Sequence, residues 1–310
     1  MKRAKQTYER INGPVATIQV AYFEDGSVDY EGPCRQAQWL GEQGIPVLLL
    51  TYGSSEFACL SEAEIFQLTA EVAEANAGRS CLIASTGWWK PAKCREFLQH
   101  AAQAGVDGVK VQINPWLPKT REVLVGFFDQ LEDAADMPLL LWGHSPPPFP
   151  VEVAAELARR PNIVGMKNDA DPFYNYYDLC RETKDEDFAV ISGGQMRNFA
   201  FGYQVGSRAY LCTVVSKRPD IALKFYAHLV AGRYDEAWQI VFRYEEPLFK
   251  LVTGPVLQSQ WLSVSKYVHE LHGFFPNNAP TPTAPSLTAE QKEVAREGLE
   301  KIFGPITKIV

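Results

Sequence analysis

The sequence lacks the cysteine spacings that bind zinc or build a disulfide framework. It has six cysteines in 310 residues, no CxxC pair, and no histidine at a metal-ligand spacing from a cysteine. We therefore expect no metal site, and reduced thiols of the kind found in cytoplasmic proteins. The cysteines stand at positions 34, 59, 81, 94, 180 and 212.

Long hydrophobic runs and basic blocks are also missing. No window approaches the ~20 apolar residues that a membrane-spanning helix requires. Residues 1–6 are charged but precede no apolar stretch, so they do not form a secretory signal. The net charge is −7 without any lysine or arginine cluster, which argues against nucleic acid as the main partner. These features predict a soluble cytoplasmic protein whose partners are neither membranes nor nucleic acids.

Short apolar runs alternate with longer segments of helical periodicity. Hydrophobic residues make up 46% of the chain, enough for a sizeable core. Eight apolar runs, each followed by a helical segment, predict a (β/α)8 TIM barrel in the α/β class. A doubly wound sheet is the main alternative, but eight units of similar length favour closure. The predicted strands cover residues 15–20, 47–50, 81–84, 109–113, 139–141, 163–166, 188–191 and 209–212.

The predicted helices complete this pattern. Ser61 and Glu64 have the spacing of a capping box at the start of one helix. We predict a barrel over residues 1–232 and a C-terminal helical extension over residues 233–310, which is interrupted by a proline-rich linker. The helices following the strands are predicted at residues 34–42, 61–75, 92–103, 121–135, 151–159, 173–182, 195–203 and 220–230.

The stretch from Pro161 to Asp169 carries the strongest chemical signal. Residues 163–166 have the pattern of a strand buried on both faces, and Lys167 stands where that strand should end. A buried lysine is costly unless it is paired, neutral or at the barrel rim, where the active sites of such barrels lie. The alternative is an ammonium group that only pairs with a carboxylate such as Asp169.

The sequence Asn-Ile-Val-Gly-Met-Lys at residues 162–167 resembles the strand-six motif of the dihydrodipicolinate synthase / N-acetylneuraminate lyase family. Residues 24–30, 52–61 and 191–194 also resemble family segments, in the same order and spacing. The family consists of class I aldolase-type barrels whose lysine forms a Schiff base with a 2-keto acid. The resemblance implies that Lys167 is the imine-forming nucleophile, that a pyruvate-type acid is the substrate, that no cofactor is needed, and that the chain forms a homo-oligomer, either a dimer or a tetramer.

The chemistry of lysine agrees with this role. An amine attacks a carbonyl only when it is neutral, and a free lysine with a pKa of ~10.4 is almost wholly protonated at neutral pH. Burial at a barrel mouth disfavours the charged form. Once formed, a protonated imine withdraws electrons from the neighbouring carbons and permits an enamine, so that a C–C bond can be made or broken.

The resemblance places the substrate carboxylate in the loop after the second strand. Hydroxyls and backbone N–H groups can hold a carboxylate without adding a competing positive charge. Ser54 falls on the second of the family's two hydroxyl positions, Gly53 on the first, and Ser55 replaces a glycine. Ser54 is the favoured contact, with a turn-forming or capping role as the alternative. Gly193 belongs to the glycine pair after the seventh strand and is a further candidate.

The chain departs from the family pattern where protons are carried. Trp142 occupies the position of the strand-five tyrosine, and an indole N–H does not titrate usefully. The second tyrosine position falls on Pro115 or Trp116, and the arginine expected shortly after strand five, which helps bind dicarboxylic substrates, is missing. These departures argue against the dihydrodipicolinate synthase reaction and against sialic acid cleavage.

Two other side chains are candidates for carrying the proton. His144 lies two residues beyond Trp142 and has the pKa range best suited to acid–base work, although a lone histidine in a proline-rich loop is more often a packing residue. Tyr52 precedes the carboxylate loop. Tryptophans 88, 89, 116 and 142 follow strand ends and predict an aromatic mouth.

Three functions remain open from the sequence. The favoured one is a Schiff-base lyase or aldolase-like enzyme acting on a 2-keto acid. A dehydratase of a keto-deoxy sugar acid would share the imine but expel water. A non-catalytic barrel that retains a ligand-binding role would explain the missing tyrosines.

Overall fold

Eight parallel strands close into a barrel in the computed structural model, which describes residues 2–143, 147–169, 172–276 and 286–310. The (β/α)8 prediction is confirmed, and the doubly wound alternative is wrong. The strands are β1 Gly13–Thr17, β2 Ala21–Tyr22, β3 Val28–Asp29, β4 Val47–Leu49, β5 Cys81–Ser85, β6 Gly108–Lys110, β7 Leu139–Gly143, β8 Ile163–Asn168, β9 Ala189–Ser192 and β10 Ala209–Leu211.

Around the barrel the strands follow in the order β1, β4, β5, β6, β7, β8, β9 and β10. The two shortest strands, β2 and β3, form a separate antiparallel ribbon. Closure occurs where β1 pairs with β10, with Gly13 opposite Ala209. Inward-facing side chains such as Val47, Ile83 and Leu140 pack together inside the barrel. All eight barrel strands run in one direction, so their carboxyl ends meet at one rim.

Thirteen α-helices lie among the described residues. They are α1 Lys2–Arg10, α2 Glu31–Glu42, α3 Glu62–Asn76, α4 Pro91–Gln103, α5 Arg121–Asp129, α6 Val151–Ala158, α7 Phe173–Glu182, α8 Gln195–Tyr203, α9 Pro219–Val230, α10 Tyr234–Ile240, α11 Glu246–Val252, α12 Trp261–His272 and α13 Ala289–Phe303. The capping box at α3 is confirmed, because Ser61 and Glu64 each accept a hydrogen bond from the other's backbone N–H.

Helix α1 covers the amino-terminal end of the barrel and was missed in the sequence. Arg3 donates a hydrogen bond of 2.6 Å to the Val106 carbonyl, and Thr7 donates one of 2.9 Å to the Asp107 carbonyl, both just before β6. Ala4 packs among the side chains of the barrel interior. The helix is short and mostly charged, so it offers few of the apolar residues by which helices are recognised in a sequence.

The C-terminal helices pack onto the barrel. Glu245, in a π-helical turn between α10 and α11, is buried and accepts hydrogen bonds from the Met196 backbone N–H at 2.7 Å and from Arg197 Nε at 3.1 Å. Phe225 of α9 and Val264 of α12 belong to one continuous hydrophobic core. The division of the chain at residue 232 stays a prediction.

The described part of the chain contains no helix with the length and apolar character needed to cross a membrane. Across the same residues, no three His, Cys, Asp or Glu side chains are grouped so that they could hold a metal ion.

Candidate active site

Lys167 lies near the carboxyl end of β8 and lines a cavity of about 350 Å³ at the barrel rim. Its neighbours in register are Trp142 on β7 and Ile191 on β9. The Lys167 side chain is 14% exposed. The glycine of the lysine motif has a packing role, because a Cβ at residue 165 would lie 2.5 Å from the carbonyl oxygen of Ala189.

The amine of Lys167 forms an ion pair with the carboxylate of Asp169. Gly193 makes room for this carboxylate, because a Cβ at that residue would lie 2.8 Å from Asp169 Oδ1. The Gly193 N–H also donates a hydrogen bond of 2.6 Å to the Asn168 carbonyl. The two interpretations of Lys167 are therefore combined in one site: the lysine is paired with Asp169 and it faces a cavity.

The loop after β4 presents two of its predicted residues to the cavity and uses the third as a support. Gly53 and Ser54 line the cavity with Lys167. Ser55 is fully buried, where its hydroxyl accepts a hydrogen bond of 2.9 Å from the Thr51 N–H and donates one to the Ile18 carbonyl. Ser55 thus ties the loop to the end of β1 and does not line the cavity.

The same loop is anchored to α12 by a buried ion pair. Glu56 has a left-handed backbone conformation with φ of 52°, and its carboxylate lies 2.6 Å from Lys266 Nζ. Burial raises the pKa of Glu56 to about 7, although the positive charge of Lys266 acts in the opposite direction. Burial also lowers the pKa of Lys266. Desolvation therefore outweighs the attraction between the two groups.

Helix α12 supplies one wall of the cavity, which the sequence did not reveal. Trp261, Leu262 and Ser265 line the cavity although they lie almost a hundred residues beyond Lys167 in the chain. No local pattern marks such residues, because only the packing of the C-terminal helices against the barrel brings them to its rim.

Polar side chains missed in the sequence line the rest of the cavity. Gln19 is buried, and within the described residues its amide oxygen has no hydrogen-bond partner. Gln195 begins α8 with a φ of 71°, and its amide oxygen accepts a hydrogen bond of 2.9 Å from the Thr213 N–H. The further lining residues with hydroxyl groups are Thr17, Thr213 and Ser216.

Other predicted site residues lie away from this cavity. Trp116 is 90% exposed and is not among the lining residues. Tyr52 stacks on Trp88 with ring centroids 4.2 Å apart, and burial raises the pKa of Tyr52. Neither Trp89 nor Trp142 lines the cavity, so the structure gives its wall one tryptophan, Trp261.

His144 falls outside the described residues, so its candidacy as a proton carrier stays a prediction. The same holds for the catalytic role of Trp142 and for the substrate-binding roles of Gly53, Ser54, Ser55, Trp116 and Gly193.

A second lysine lies inside the barrel. Lys110 of β6 is 1% exposed, and its Nζ donates a hydrogen bond of 2.9 Å to Thr51 Oγ1. The amine also lies 4.7 Å from the ring centroid of Trp142. Burial lowers the pKa of Lys110 well below its usual range, and the charge of Lys167 lowers it further. The sequence signal was present, since a lysine interrupts an apolar strand at this position as it does at Lys167.

Known proteins share both the sequence and the shape of this chain. Two curated relatives are 4-hydroxy-tetrahydrodipicolinate synthases. The one from Methanosarcina barkeri is 27% identical over 292 residues, covering 92% of this chain and 96% of the relative. The one from Synechococcus sp. is 29% identical over 302 residues, covering 94% of each chain.

Similar solved structures include the dihydrodipicolinate synthase from Bacillus clausii, with a TM-score of 0.82, 22% identity, and coverage of 94% of this chain and 98% of that one. A prophage protein of the dihydrodipicolinic acid synthase family from E. coli K12, in complex with pyruvate, has a TM-score of 0.81 and 21% identity over 94% of this chain and 98% of its own. A catalytic lysine mutant of the Ruminococcus gnavus sialic acid aldolase has a TM-score of 0.82 and 18% identity, with coverage of 95% and 96%.

These neighbours share the barrel fold, and the sequence match extends over most of the chain. The model of the dihydrodipicolinate synthetase family matches residues 10–300. The resemblance seen in the lysine motif is therefore confirmed, and this chain belongs to the dihydrodipicolinate synthetase family, whose members are lyases.

Proposed function

We propose that this chain is a Schiff-base-forming, aldolase-like lyase that acts on a 2-keto acid of the pyruvate type, with Lys167 as the nucleophile. The observation that carries the proposal is the position of the Lys167 amine, which lines a cavity together with the carboxylate-binding candidates Gly53 and Ser54. Two fold neighbours add support, because the E. coli K12 protein was solved with pyruvate and the R. gnavus aldolase was solved as a mutant of its catalytic lysine.

In the proposed reaction, the neutral amine of Lys167 attacks the C2 carbonyl of the keto acid. The carbinolamine then loses water and leaves a protonated imine, whose positive charge lies close to Asp169. The Ser54 hydroxyl and backbone N–H groups of its loop donate hydrogen bonds to the substrate carboxylate. A volume of about 350 Å³ also leaves space for a larger substrate than pyruvate.

The residues that differ from the family pattern bear on the full reaction. We propose that the chain is not an authentic dihydrodipicolinate synthase, because Trp142 replaces the proton-carrying tyrosine and the arginine for dicarboxylic substrates is missing. A keto-deoxy sugar acid dehydratase is the second candidate. It is favoured by the polar cavity wall, where Gln19, Gln195 and Thr213 offer hydrogen bonds to hydroxyl groups.

Reduction with borohydride in the presence of pyruvate tests the proposal. Intact mass measurement should show one reduced pyruvate per chain, and peptide mapping should place it on Lys167. Lys167→Ala should show no adduct. Lys224→Met is the matched control, because Lys224 is an exposed lysine of α9 that does not line the cavity, and its loss should leave the adduct unchanged.

The absence of an adduct with pyruvate and with a panel of longer 2-keto acids would contradict the proposal. An adduct on Lys167 without turnover of any 2-keto acid would instead support a non-catalytic barrel that binds such ligands. Release of water from a keto-deoxy sugar acid would identify the dehydratase.

We also propose that the chain works in the cytoplasm as a homo-oligomer, either a dimer or a tetramer. None of the six cysteines, all of which lie in the described ranges, forms a disulfide. An aromatic series is partly exposed on α7, α8 and α10, where the rings of Phe173, Phe201 and Trp238 follow one another at centroid distances of 6.0 and 5.2 Å. Exposed apolar surface of this kind is typical of protein interfaces.

A further inference from the structure

A second cavity, of about 270 Å³, lies where the C-terminal part of the chain meets the barrel helices. Its walls come from α2, from the segment that joins β10 to α9, from α12, and from the chain that follows α13. No described residue lines both this cavity and the one that contains Lys167. The proposed imine chemistry therefore gives the second cavity no role.

One part of the second cavity is apolar. Trp39 of α2, Val268 of α12, Phe303 at the end of α13 and Ile306 beyond it contribute hydrophobic side chains. Apolar walls of this kind favour an organic group over water, and a few polar groups then fix its orientation.

The polar part contains a buried lysine without a counter-charge. Lys217 is 7% exposed, and its Nζ donates hydrogen bonds of 2.9 Å to the Thr213 carbonyl and 3.4 Å to Ser265 Oγ. Within the described residues it forms no ion pair. An ammonium group has one more N–H than these two bonds use. A buried charge without an opposite charge is costly, and a bound anion would reduce that cost.

The other charged groups leave the lining with one net positive charge. Arg218 donates from Nε and Nη2 to Asp220 at 2.8 and 2.6 Å and from Nη1 to the Phe303 carbonyl at 2.6 Å, and its guanidinium has further N–H groups for a ligand. Asp220 balances this charge. Burial and the charge of Lys217 lower the pKa of His272 to about 4, so its ring is neutral. The charge of Lys217 is therefore the one left over.

We propose that the second cavity binds a small organic monocarboxylate. Its carboxylate accepts hydrogen bonds from Lys217 Nζ and from the Arg218 guanidinium. Its apolar part lies against Trp39, Phe303 and Ile306. Recognition needs the negative charge and the apolar group together, because the lining offers one net positive charge beside hydrophobic walls.

Lys217 also connects this site to the catalytic cavity. Thr213 and Ser265, which accept its two hydrogen bonds, both line the cavity that contains Lys167. A carboxylate bound to Lys217 attracts the ammonium away from these two acceptors. We therefore expect the bound acid to weaken the binding of pyruvate, a consequence that rests on the proposed function whereas the binding of the acid does not.

Calorimetric titration with phenylacetate and with 4-methylpentanoate tests the site. Each acid should bind once per chain, and the neutral analogues phenylacetamide and 4-methylpentanamide should bind at least ~10-fold more weakly. Lys217→Met removes the ammonium and should lower the affinity for both acids ~10- to 100-fold, the usual worth of a hydrogen bond to a charged group. Lys224→Met, on an exposed lysine of α9, should keep the wild-type affinity.

Two further variants locate the bound acid. Ile306→Trp places a larger side chain in the second cavity, leaves Lys217 intact, and should abolish binding of both acids. Lys167→Ala changes only the other cavity and should keep the wild-type affinity. Urea denaturation of each variant shows that it is folded. Binding that persists in Ile306→Trp, or that is lost in Lys167→Ala, would place the acid elsewhere and overturn the proposal.

The remaining outcomes separate the site from its link to catalysis. No binding of either acid to the wild type, or equal binding of acids and amides, would overturn the site. Saturating phenylacetate should raise the pyruvate concentration for half-maximal trapping on Lys167 by ~5-fold or more, a typical coupling between two sites. Ile306→Trp should not show this rise. Binding without the rise would overturn the link through Lys217. If the wild type forms no adduct with any 2-keto acid, the proposed function fails and the titrations still decide the second site.

Discussion

Two adjacent serines in the loop after β4 have different surroundings and should have different roles. Ser54 lines the cavity beside Lys167, whereas Ser55 is buried and links the Thr51 N–H to the Ile18 carbonyl. The sequence alone ranks Ser54 above Ser55 through the family resemblance. The hydrogen bonds of Ser55 give the physical reason for that order, because its hydroxyl already accepts one hydrogen bond and donates another inside the protein.

Replacing each serine with alanine should separate binding from stability. Ser54→Ala removes the hydroxyl that we propose donates to the substrate carboxylate, so we expect the pyruvate concentration for half-maximal trapping to rise ~10- to 100-fold. Ser55→Ala leaves two backbone groups without their partner, and the free energy of unfolding should fall by about 1–3 kcal/mol. Trapping kinetics and urea denaturation measure the two effects.

Ser54→Ala is expected to change trapping and Ser55→Ala to change the free energy of unfolding, so each variant is the control for the other. Unchanged half-saturation in Ser54→Ala would remove the Ser54 hydroxyl from the substrate site. Unchanged unfolding in Ser55→Ala would mean that water replaces its hydroxyl in both hydrogen bonds.

Single-sequence reasoning identified Lys167 but missed Lys110, although both interrupt apolar strands. The difference lies in the surrounding residues, because Lys167 stands in a motif shared with a known family and Lys110 does not. A lone lysine in an apolar run is compatible with an exposed strand end, with an ion pair and with a buried amine. Only the positions of Thr51 and Trp142 in space show that Lys110 is buried inside the barrel.

Among the elements, β8 and α5 contain glycines with opposite surroundings. A Cβ at Gly165 would lie 2.5 Å from a backbone carbonyl of β9, whereas a Cβ at Gly126 in α5 would meet nothing within 4 Å. Gly165→Ala should lower the free energy of unfolding by about 1–3 kcal/mol, because the paired backbones must move apart. Gly126→Ala should raise it by about 0.5–1 kcal/mol, because alanine favours the helix.

Urea denaturation of both glycine variants checks this prediction, and borohydride trapping adds a functional test. Displacement of β8 should also slow adduct formation on Lys167 in Gly165→Ala, whereas Gly126→Ala should trap at the wild-type rate. Equal free energies of unfolding in the two variants would show that the backbones of β8 and β9 can move apart without loss of stability.

The Glu56–Lys266 pair joins the loop after β4 to α12 and makes stability depend on pH. The folded pKa of Glu56, about 7, lies above its usual value, so its contribution to stability is present at low pH and is lost as pH rises through about 7. The lowered pKa of Lys266 has the opposite effect, because its contribution is lost as pH falls. In the wild type the charge of Lys266 also lowers the pKa of Glu56, so it offsets part of the effect of burial on that carboxyl.

Lys266→Met removes the offsetting group. Its free energy of unfolding should fall more steeply than that of the wild type between pH 6 and pH 9, reaching a deficit of roughly 3–5 kcal/mol when Glu56 is an unpaired buried carboxylate. Urea denaturation at several pH values measures the slope. The double variant Glu56→Gln, Lys266→Met should lose this dependence, and a steep slope that persists in it would assign the effect to another group.

Element boundaries show where sequence patterns are reliable. Each of the eight apolar runs overlaps a barrel strand, because a strand covered on both faces needs apolar side chains throughout. The helix predicted over residues 121–135 ends at Asp129 instead. The chain continues there in turns, with the Leu131 N–H donating to the Phe128 carbonyl and the Ala134 N–H donating to the Leu131 carbonyl. Apolar periodicity alone does not distinguish such turns from another helical turn.

For the whole molecule, the predicted homo-oligomer is testable in solution. Sedimentation equilibrium should give two or four times the chain mass of 34.7 kDa. If the aromatic series on α7, α8 and α10 lies in an interface, Phe201→Asp should shift the mass toward that of one chain, because burying an unpaired carboxylate is costly. Val230→Asp, on an exposed residue of α9, is a control that should leave the mass unchanged.

A single-chain mass for the wild type at micromolar concentration would contradict the predicted assembly. An oligomer that Phe201→Asp does not disturb would place the interface elsewhere on the surface.

The barrel could be predicted from the sequence because its eight units repeat one pattern. The placement of α1 and of α12 could not be predicted from it. Helix α1 covers the amino-terminal end of the barrel with a mostly charged sequence, and α12 reaches the rim from beyond the last barrel strand. Contacts between residues far apart in the chain determine both placements, and no local pattern specifies either of them.

The wall formed by α12 has a consequence for the order in which a ribosome makes this protein. All eight strands and Lys167 are synthesised before Trp261, the first residue of that helix. In a nascent or truncated chain that ends before α12, the Lys167 amine lies at a rim that lacks this wall and the Glu56–Lys266 ion pair. The wall of the cavity is therefore completed late in translation, and the lining of the cavity can be altered through a helix that lies outside the barrel.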